Sequence, residues 1–78
     1  MKIDKSFIDD LPSSQESISI VKAIISLAKT FNLSITAEGV ENKEQLDFLV
    51  EQECDEIQGY YFSKPLPLEE LKKLLNKI

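Results

Sequence analysis

The stretch Leu33-Ser34-Ile35-Thr36-Ala37-Glu38-Gly39 alternates apolar and polar side chains and ends at a glycine. A period of two predicts a β-strand with one apolar and one polar face. Asn42 follows with Gln45 three residues later, the spacing of a capping box that opens a helix. These residues therefore predict a strand followed by a helix, and the rest of the chain repeats this unit.

The unit ahead of this stretch is expected to comprise a strand over residues 2–8, then a loop and a long helix. Ser13 and Glu16 have the capping-box spacing, and the helix is predicted over roughly residues 17–31 with Asn32 as its stop. Apolar side chains occupy most of the circumference of this helix, and its polar side chains are confined to one arc. A helix of this kind is expected to pack against more than one neighbour.

The unit behind it is expected to begin with the strand Asp55-Glu56-Ile57-Gln58, which ends at Gly59. Residues 60–67 contain an aromatic run and two prolines and are predicted to form a loop, and a last helix is predicted from about Leu68 to Leu75. The order β-α-β-α-β-α predicts an α/β fold in which parallel strands are joined by right-handed crossovers.

The two faces of the predicted strands favour one architecture within this class. A parallel sheet covered by helices on both sides is apolar on both faces, whereas the inner side of a (β/α) barrel holds polar residues near its C-terminal rim. Part of a barrel is therefore favoured, and Lys2, Glu38 and Gln58 are expected to gather on one rim. The polar face comprises Lys2, Asp4, Ser34, Thr36, Glu38, Glu56 and Gln58, and the apolar face comprises Ile3, Ile35, Ala37 and Ile57.

The composition excludes several classes of function. The chain has 78 residues and a formal net charge of −5, which argues against binding to a nucleic acid polymer. It contains no histidine, so a His general base and a zinc site built on imidazole are excluded. The only cysteine, Cys54, is expected to be a small buried hydrophobe and suits a reducing compartment. No apolar stretch approaches the ~20 residues of a membrane span, so no membrane contact is expected and the expected location is the cytoplasm.

Three motifs together resemble the C-terminal part of an EAL domain, the bacterial cyclic-di-GMP phosphodiesterase family. They are Lys2-Ile3-Asp4-Lys5-Ser6-Phe7-Ile8, Ala37-Glu38-Gly39-Val40-Glu41 with Gln45 and Leu46 behind it, and the segment from Gln58 to Pro67. The resemblance implies a (β/α)8 (TIM-like) barrel of which residues 1–78 are the last three β/α units, a truncated EAL domain. The Glu-Ala-Leu and Asp-Asp-Phe-Gly-type motifs of the family, which supply most metal-binding carboxylates, would lie before Lys2.

The resemblance also implies two catalytic residues. The residue matching Glu38 lies near the metal-bound water that attacks the phosphodiester, where it accepts a proton or takes a position around Mg²⁺ or Mn²⁺; the alternative is an ordinary solvated carboxylate. Lys2 matches the active-site lysine that offers positive charge to the water or the phosphate; the alternative is a mobile side chain beside the chain terminus. The fragment is expected to bind no metal ion stably by itself, because the other ligands are missing.

Further residues are implied to contact the substrate or to support the site. Gln58 matches a glutamine of the active-site water network, and Pro65 with the run Tyr60-Tyr61-Phe62 is a candidate to border a guanine base. Packing between the last strand and helix explains the aromatic run equally well. Asp4 is expected to orient Lys2, and Glu41 to tie the loops of the site together.

Two functions remain open on the sequence alone. The first is a fragment of a phosphodiesterase that hydrolyses cyclic-di-GMP to pGpG and is inactive alone, because most metal ligands are absent. The second is a non-catalytic remnant that self-associates or binds a signalling partner. Three strands do not close a barrel, so open strand edges and helix faces predict a homo-oligomer, most simply a homodimer.

Overall fold

The structure, a computed structural model, describes residues 1–59 and 62–77, with side chains described at residues 1–59 and 66–73. Strands and helices alternate as predicted, with one additional short helix after the first strand and one additional strand before the last helix. The elements in chain order are β1 (Lys2–Ile3), α1 (Lys5–Ile8), α2 (Gln15–Thr30), β2 (Thr36–Val40), α3 (Lys43–Glu51), β3 (Glu56–Gly59), β4 (Phe62–Pro67) and α4 (Leu68–Lys77).

The strands β1, β2 and β3 lie side by side and run parallel, as the sequence predicts. The register pairs Ile3 with Ala37 and Ala37 with Ile57, so the apolar side chains of the three strands form one row. All three side chains are buried. The predicted α/β fold with parallel strands is therefore confirmed, and the sheet is open rather than closed into a barrel.

Residues 62–67 form β4, antiparallel to β3, where the sequence predicted a loop. Gly59 pairs with Phe62, so β4 runs back alongside β3. β4 lies at the edge of the sheet, where a proline, which has no N–H to donate, is tolerated. Pro65 and Pro67, which suggested a loop, are for this reason compatible with a strand.

The predicted first strand over residues 2–8 is also wrong in its second half, where α1 takes its place. Asp4 is the N-cap of α1, and its Oδ2 accepts hydrogen bonds from the backbone N–H of Ser6 at 3.2 Å and from the Ser6 hydroxyl at 2.8 Å. A cap of this kind satisfies a donor that the first helical turn leaves unpaired. This local contact favours a helix although the sequence alternates as a strand does.

Side-chain caps also define the starts of α2 and α3. The cap of α2 is Ser14, whose Oγ accepts from the Ser17 N–H at 3.2 Å, so the predicted cap Ser13 is one residue too early. The cap of α3 is Asn42, as predicted, with its Oδ1 2.9 Å from the Gln45 nitrogen. The capping box is only half formed, because the side chain of Gln45 bonds other groups.

Just beyond the ends of α2 and α3 lie residues with left-handed backbone angles, Asn32 with φ 57° and Glu53 with φ 60°. The N–H groups of the following residues, Leu33 and Cys54, donate back to carbonyls in the last turn at 2.8 and 3.1 Å. This is the Schellman motif, which turns the chain away from the helix axis and towards the next strand. The predicted stop at Asn32 is confirmed. In residues 1–59 and 62–77 no helix has the length and apolar character needed to cross a bilayer.

The core lies between the apolar face of the sheet and the helices that cover it. Cys54 is fully buried within it, as predicted, with its Sγ 3.3 Å from the carbonyl oxygen of Glu56. Burial raises the pKa of the Cys54 thiol to about 11, because the thiolate is disfavoured away from water. The helices contribute Val21, Ile25, Ala28, Leu46, Leu49 and Leu71 to this core.

Candidate functional site

An open cleft of about 360 Å³ lies where the parallel strands end. Its walls come from the segments that follow β1, from the second half of β2 and from the end of β3. Parallel strands joined by right-handed crossovers place all their C-terminal ends on one edge, and this cleft lies along that edge. It is lined by Asp4, Lys5, Glu38, Gly39, Gln58 and Gly59.

Glu38 and Gln58 face this cleft together, as the strand pattern predicts. The ammonium of Lys2 lies 3.9 Å from Oε2 of Glu38, at the outer limit of an ion pair. The Lys2 side chain is 72% exposed and that of Glu38 is 37% exposed, so water screens their attraction. Glu38 and Gln58 are thus brought together at the cleft, whereas Lys2 does not line it and approaches Glu38 only through its exposed ammonium.

Asp4 lies at the same cleft but has a different immediate partner from the one expected. Its carboxylate bonds Ser6 rather than the ammonium of Lys2. The hydroxyl and the backbone N–H of Ser6 hold the pKa of Asp4 below its ordinary value, because both donate to the ionised form. Asp4 therefore contributes a negative charge to the cleft while its position is set by the cap of α1.

Lys5 is a cleft residue that the sequence analysis did not single out. Its Nζ donates to Oδ1 of Asp9 at 2.7 Å and to Oε1 of Glu41 at 3.0 Å. These two carboxylates raise the pKa of Lys5, because they stabilise the ammonium. Lys5 and Asp9 have the i,i+4 spacing of an ion pair on a helix. The sequence did not predict this pair, because residues 2–8 were expected to form a strand.

Glu41, predicted to support the site, links two segments of the chain beside the cleft. The Lys5–Glu41 contact spans 36 residues of sequence and joins α1 to the segment that follows β2. Glu41 is also held through its backbone, because its N–H donates to Oε1 of Gln45 at 2.8 Å. Two contacts, one from α1 and one from α3, therefore fix the chain directly after Glu38 and Gly39.

Gly39 and Gly59 let the backbone pack closely beside the cleft. Gly39 has φ 76°, and a β-carbon there would overlap the side chain of Lys5. A β-carbon on Gly59 would overlap the backbone of Val40 in the neighbouring strand. The register between β2 and β3 shifts between Ala37 and Val40, close to these glycines. Glycine at both positions therefore permits the close approach of the segments that form the cleft.

The remaining predicted substrate residues lie outside what the structure describes at side-chain level. Tyr60 and Tyr61 are outside the described residues, and the side chain of Pro65 is outside them as well. The backbone of Pro65 belongs to β4. The expectation that this segment borders a guanine base therefore stays a prediction.

The carboxylates that the structure describes do not form a complete site for a divalent cation. In residues 1–59 and 62–77 no three side chains of His, Cys, Asp or Glu converge in a way that would hold a metal ion. Mg²⁺ and Mn²⁺ prefer six oxygen ligands in an octahedral arrangement. Asp4 and Glu38 are available at the cleft, and they alone do not fit the cation site that the resemblance implies.

Comparisons with known proteins agree with the motifs. A family model described as the EAL domain matches residues 1–65. The chain is 49% identical over 75 residues to the cyclic di-GMP phosphodiesterase NbdA of Pseudomonas aeruginosa, a match that covers 96% of this chain and 10% of that protein. The chain thus spans about a tenth of the length of this relative.

Solved structures of high similarity are also EAL proteins. The EAL domain of Mycobacterium smegmatis DcpA is 41% identical with a TM-score of 0.74, and the match covers 97% of this chain and 34% of that one. The MucR phosphodiesterase of Pseudomonas aeruginosa, solved as a c-di-GMP complex, is 43% identical with a TM-score of 0.75, and the match covers 90% of this chain and 28% of that one. The cleft, the parallel strands and these matches together show that the chain belongs to the EAL domain family.

Proposed function

We propose that this chain supplies one side of the active site of a cyclic-di-GMP phosphodiesterase, which hydrolyses cyclic-di-GMP to pGpG. The observation that supports this most strongly is that Glu38 and Gln58 line one cleft at the ends of parallel strands, with the Lys2 ammonium 3.9 Å from Glu38. Relatives of high identity are cyclic-di-GMP phosphodiesterases, and MucR, a relative in which the matching segment is 43% identical, was solved with c-di-GMP.

Glu38 and Lys2 are proposed as the catalytic residues of this side of the site. A carboxylate on the rim accepts a proton from the water that attacks the phosphodiester. Lys2 offers positive charge to the phosphate, on which negative charge builds up in the transition state. The 3.9 Å separation and the exposure of Lys2 leave its ammonium free to turn from Glu38 to a bound phosphate.

Gln58 and Pro65 are proposed to contact the substrate. The carboxamide of Gln58 carries a donor and an acceptor, so it is suited to bind both water and a phosphate or sugar oxygen. Asp4 and Glu41 are proposed as supporting residues that shape the cleft, Asp4 through the start of α1 and Glu41 through its contacts with Lys5 and Gln45.

The isolated chain is proposed to be inactive, because its described carboxylates do not complete a cation site. The resemblance implies that Mg²⁺ or Mn²⁺, if bound in a complete domain, would activate water and stabilise charge on the phosphoryl oxygens. Among the described residues, Glu38 is the carboxylate that we propose to approach such an ion. The other ligands belong to the remainder of an EAL barrel.

Two measurements test this proposal. The 78-residue chain with Mg²⁺ or Mn²⁺ is expected to release no pGpG from cyclic-di-GMP. A chimera in which this chain replaces the matching C-terminal segment of the MucR phosphodiesterase is expected to release it. Turnover by the isolated chain that is lost in Glu38→Ala would contradict the first expectation, and a folded but inactive chimera would contradict the second.

A second candidate function is a non-catalytic module that self-associates or binds a signalling partner. The observation that favours it is β1, which is an edge strand of the described sheet and offers backbone groups to a further strand. Self-association through this edge, most simply as a homodimer, is measured by light scattering of the isolated chain. A stable dimer that does not exchange with any EAL segment would favour this candidate over the enzyme fragment.

A further inference from the structure

The side chain of Lys5 lies along the segment that follows Glu38. A β-carbon on Gly39 would overlap Cβ, Cγ and Cδ of Lys5, so the aliphatic stem of the lysine packs directly against the Gly39 backbone. Beyond the stem, the Nζ of Lys5 donates to Oε1 of Glu41 at 3.0 Å. One side chain therefore contacts the first and the third of the three residues that come after Glu38.

Lys5 is itself held at its backbone and at its ammonium. It is the first residue of α1, directly after the N-cap Asp4, and its carbonyl accepts from the N–H of Asp9 at 2.9 Å. Its Nζ also donates to Oδ1 of Asp9 at 2.7 Å. Because both ends of Lys5 are tied to α1 and its C-cap, the residue gives the segment after Glu38 a fixed support.

The sheet itself gives this segment little support. In the described strands the register pairs Ala37 and Val40 of β2 with β3, and it assigns no partner to Glu38 or Gly39, where the register shifts. Gly39 has φ 76°, and a glycine changes its backbone angles more readily than any other residue. The direction of the Glu38 side chain therefore depends on contacts from outside the strand ladder, and Lys5 makes one of them.

Lys5 and Lys2 differ in what their ammonium groups bind. The Nζ of Lys5 has two carboxylate oxygens within 3.0 Å, and these carboxylates raise its pKa. The Nζ of Lys2 lies 3.9 Å from Glu38, and its side chain is 72% exposed. A phosphate group would have to displace two carboxylates from Lys5 but only one long contact from Lys2. The charge of Lys5 is therefore used within the protein.

We infer that Lys5 is a positioning residue, which directs the carboxylate of Glu38 by holding residues 39–41 against α1, and that it does not bind the substrate. Its effect on turnover rests on the proposed function, in which Glu38 is catalytic. Its effect on the backbone at Gly39 does not depend on that function.

The kinetic test uses the chimera of this chain with the MucR phosphodiesterase. Lys5→Met keeps most of the stem and removes the ammonium, and it is expected to lower kcat about 10-fold while KM changes less than about twofold. Lys5→Arg restores a cation with donors for two carboxylates and is expected to recover kcat to within about threefold of the unsubstituted chimera. An unchanged kcat in Lys5→Met, a raised KM with kcat kept, or an arginine variant as slow as the methionine variant would overturn the inference.

Lys43→Met is the matched control. Its Nζ lies 3.0 Å from Asp47 in an i,i+4 ion pair of similar exposure, and neither residue lines the cleft. This variant is expected to keep both kcat and KM. A loss of kcat equal to that of Lys5→Met would show that any such surface ion pair has this effect, and it would overturn the inference.

A double substitution tests whether Lys5 acts through Glu38. In the Glu38→Gln chimera, Lys5→Met is expected to slow turnover by less than about twofold, because the group that it directs is already lost. A role in stability alone would slow both backgrounds equally. A loss of about 10-fold in both backgrounds would therefore overturn the inference.

Selective ¹⁵N labelling of glycine tests the backbone directly in the full 78-residue chain. The chain contains two glycines, so Gly39 reports on the segment beside Lys5 and Gly59 is the internal reference. Lys5→Ala, which removes most of the stem with the ammonium, is expected to lower the order parameter of Gly39 from about 0.85 to below about 0.6 and to leave that of Gly59 unchanged. A Gly39 as rigid as in the unsubstituted chain would overturn the inference. Loss of order at Gly39, together with an unsubstituted chimera that does not hydrolyse cyclic-di-GMP, would refute the proposed function and leave the positioning of the segment intact.

Discussion

The Gln45 carboxamide joins three parts of the chain, because its Nε2 donates to the carbonyl of Ile8 at 3.0 Å across 37 residues of sequence. Its Oε1 accepts from the N–H of Glu41 at 2.8 Å. Gln45 is 2% exposed, so both bonds are formed away from water. The side chain thus holds α3, the end of α1 and the segment after β2 in one arrangement, and that segment forms a wall of the cleft.

Gln45→Leu is expected to reduce the free energy of unfolding by about 1–3 kcal/mol, because the Glu41 N–H would lose its acceptor and the Ile8 carbonyl would keep only the Leu11 N–H, while the volume stays similar. Urea denaturation measures this change. Glu44→Gln, at the neighbouring exposed position of α3, is the control and is expected to change stability by less than about 0.5 kcal/mol. A Gln45→Leu variant as stable as the control would show that the two hydrogen bonds contribute nothing.

Glu53→Gly is expected to stabilise the chain. Glu53 has φ 60°, a conformation that costs a residue with a β-carbon roughly 1 kcal/mol relative to glycine. Its side chain is exposed, and Lys29 bonds its backbone carbonyl, which the substitution keeps. The midpoint of urea denaturation should rise. A lower midpoint would mean that the side chain of Glu53 stabilises the fold by more than its positive φ destabilises it.

The cap of α1 should make stability depend on pH. The pKa of Asp4 is lower in the folded chain than in the unfolded one, so its stabilising contribution is present above about pH 4 and is lost as the pH falls through the folded value. Asp4→Asn keeps a capping oxygen without the titratable charge. The difference in melting temperature between the two proteins is therefore expected to grow from pH 2.5 to pH 6. A difference that is constant over this range would contradict the assignment.

The Cys54 thiol should be unreactive in the folded chain. Burial raises its pKa to about 11, so almost no thiolate is present at pH 7.5, and the sulfur is not accessible. Ellman's reagent is expected to label it only as fast as the chain unfolds, and the rate should rise with urea. Rapid and complete labelling in the absence of urea would show that the segment before β3 opens readily.

The parallel strands and the meeting of Glu38 with Gln58 were predictable because both follow from strand parity. Side chains two residues apart share a face whatever covers the sheet, and parallel strands end at one edge. The buried row through Ile3, Ala37 and Ile57 confirms that parity. These parts of the site depend on local pattern and topology alone.

The remaining features depend on partners that are remote in sequence or on one local contact. The strand β4 was missed because Pro65 and Pro67 suggest a loop, and only its place at the sheet edge makes them acceptable. The helix α1 was missed because one cap at Asp4 outweighs an alternating pattern. The contacts of Gln45 and Lys5 span 37 and 36 residues, and no spacing rule predicts them.

The central claim is that Glu38 is a catalytic carboxylate on the rim of this fold, and the most direct measurement is the turnover number of the MucR chimera with Glu38→Gln. The variant is expected to bind cyclic-di-GMP as the unsubstituted chimera does and to turn it over at least about 100-fold more slowly. Glu56→Gln is the matched control, because Glu56 lies at the first position of β3, is not among the residues that line the cleft, and its Oε1 accepts from the Thr36 hydroxyl at 3.3 Å. Turnover in Glu38→Gln within about threefold of that in Glu56→Gln would contradict the claim.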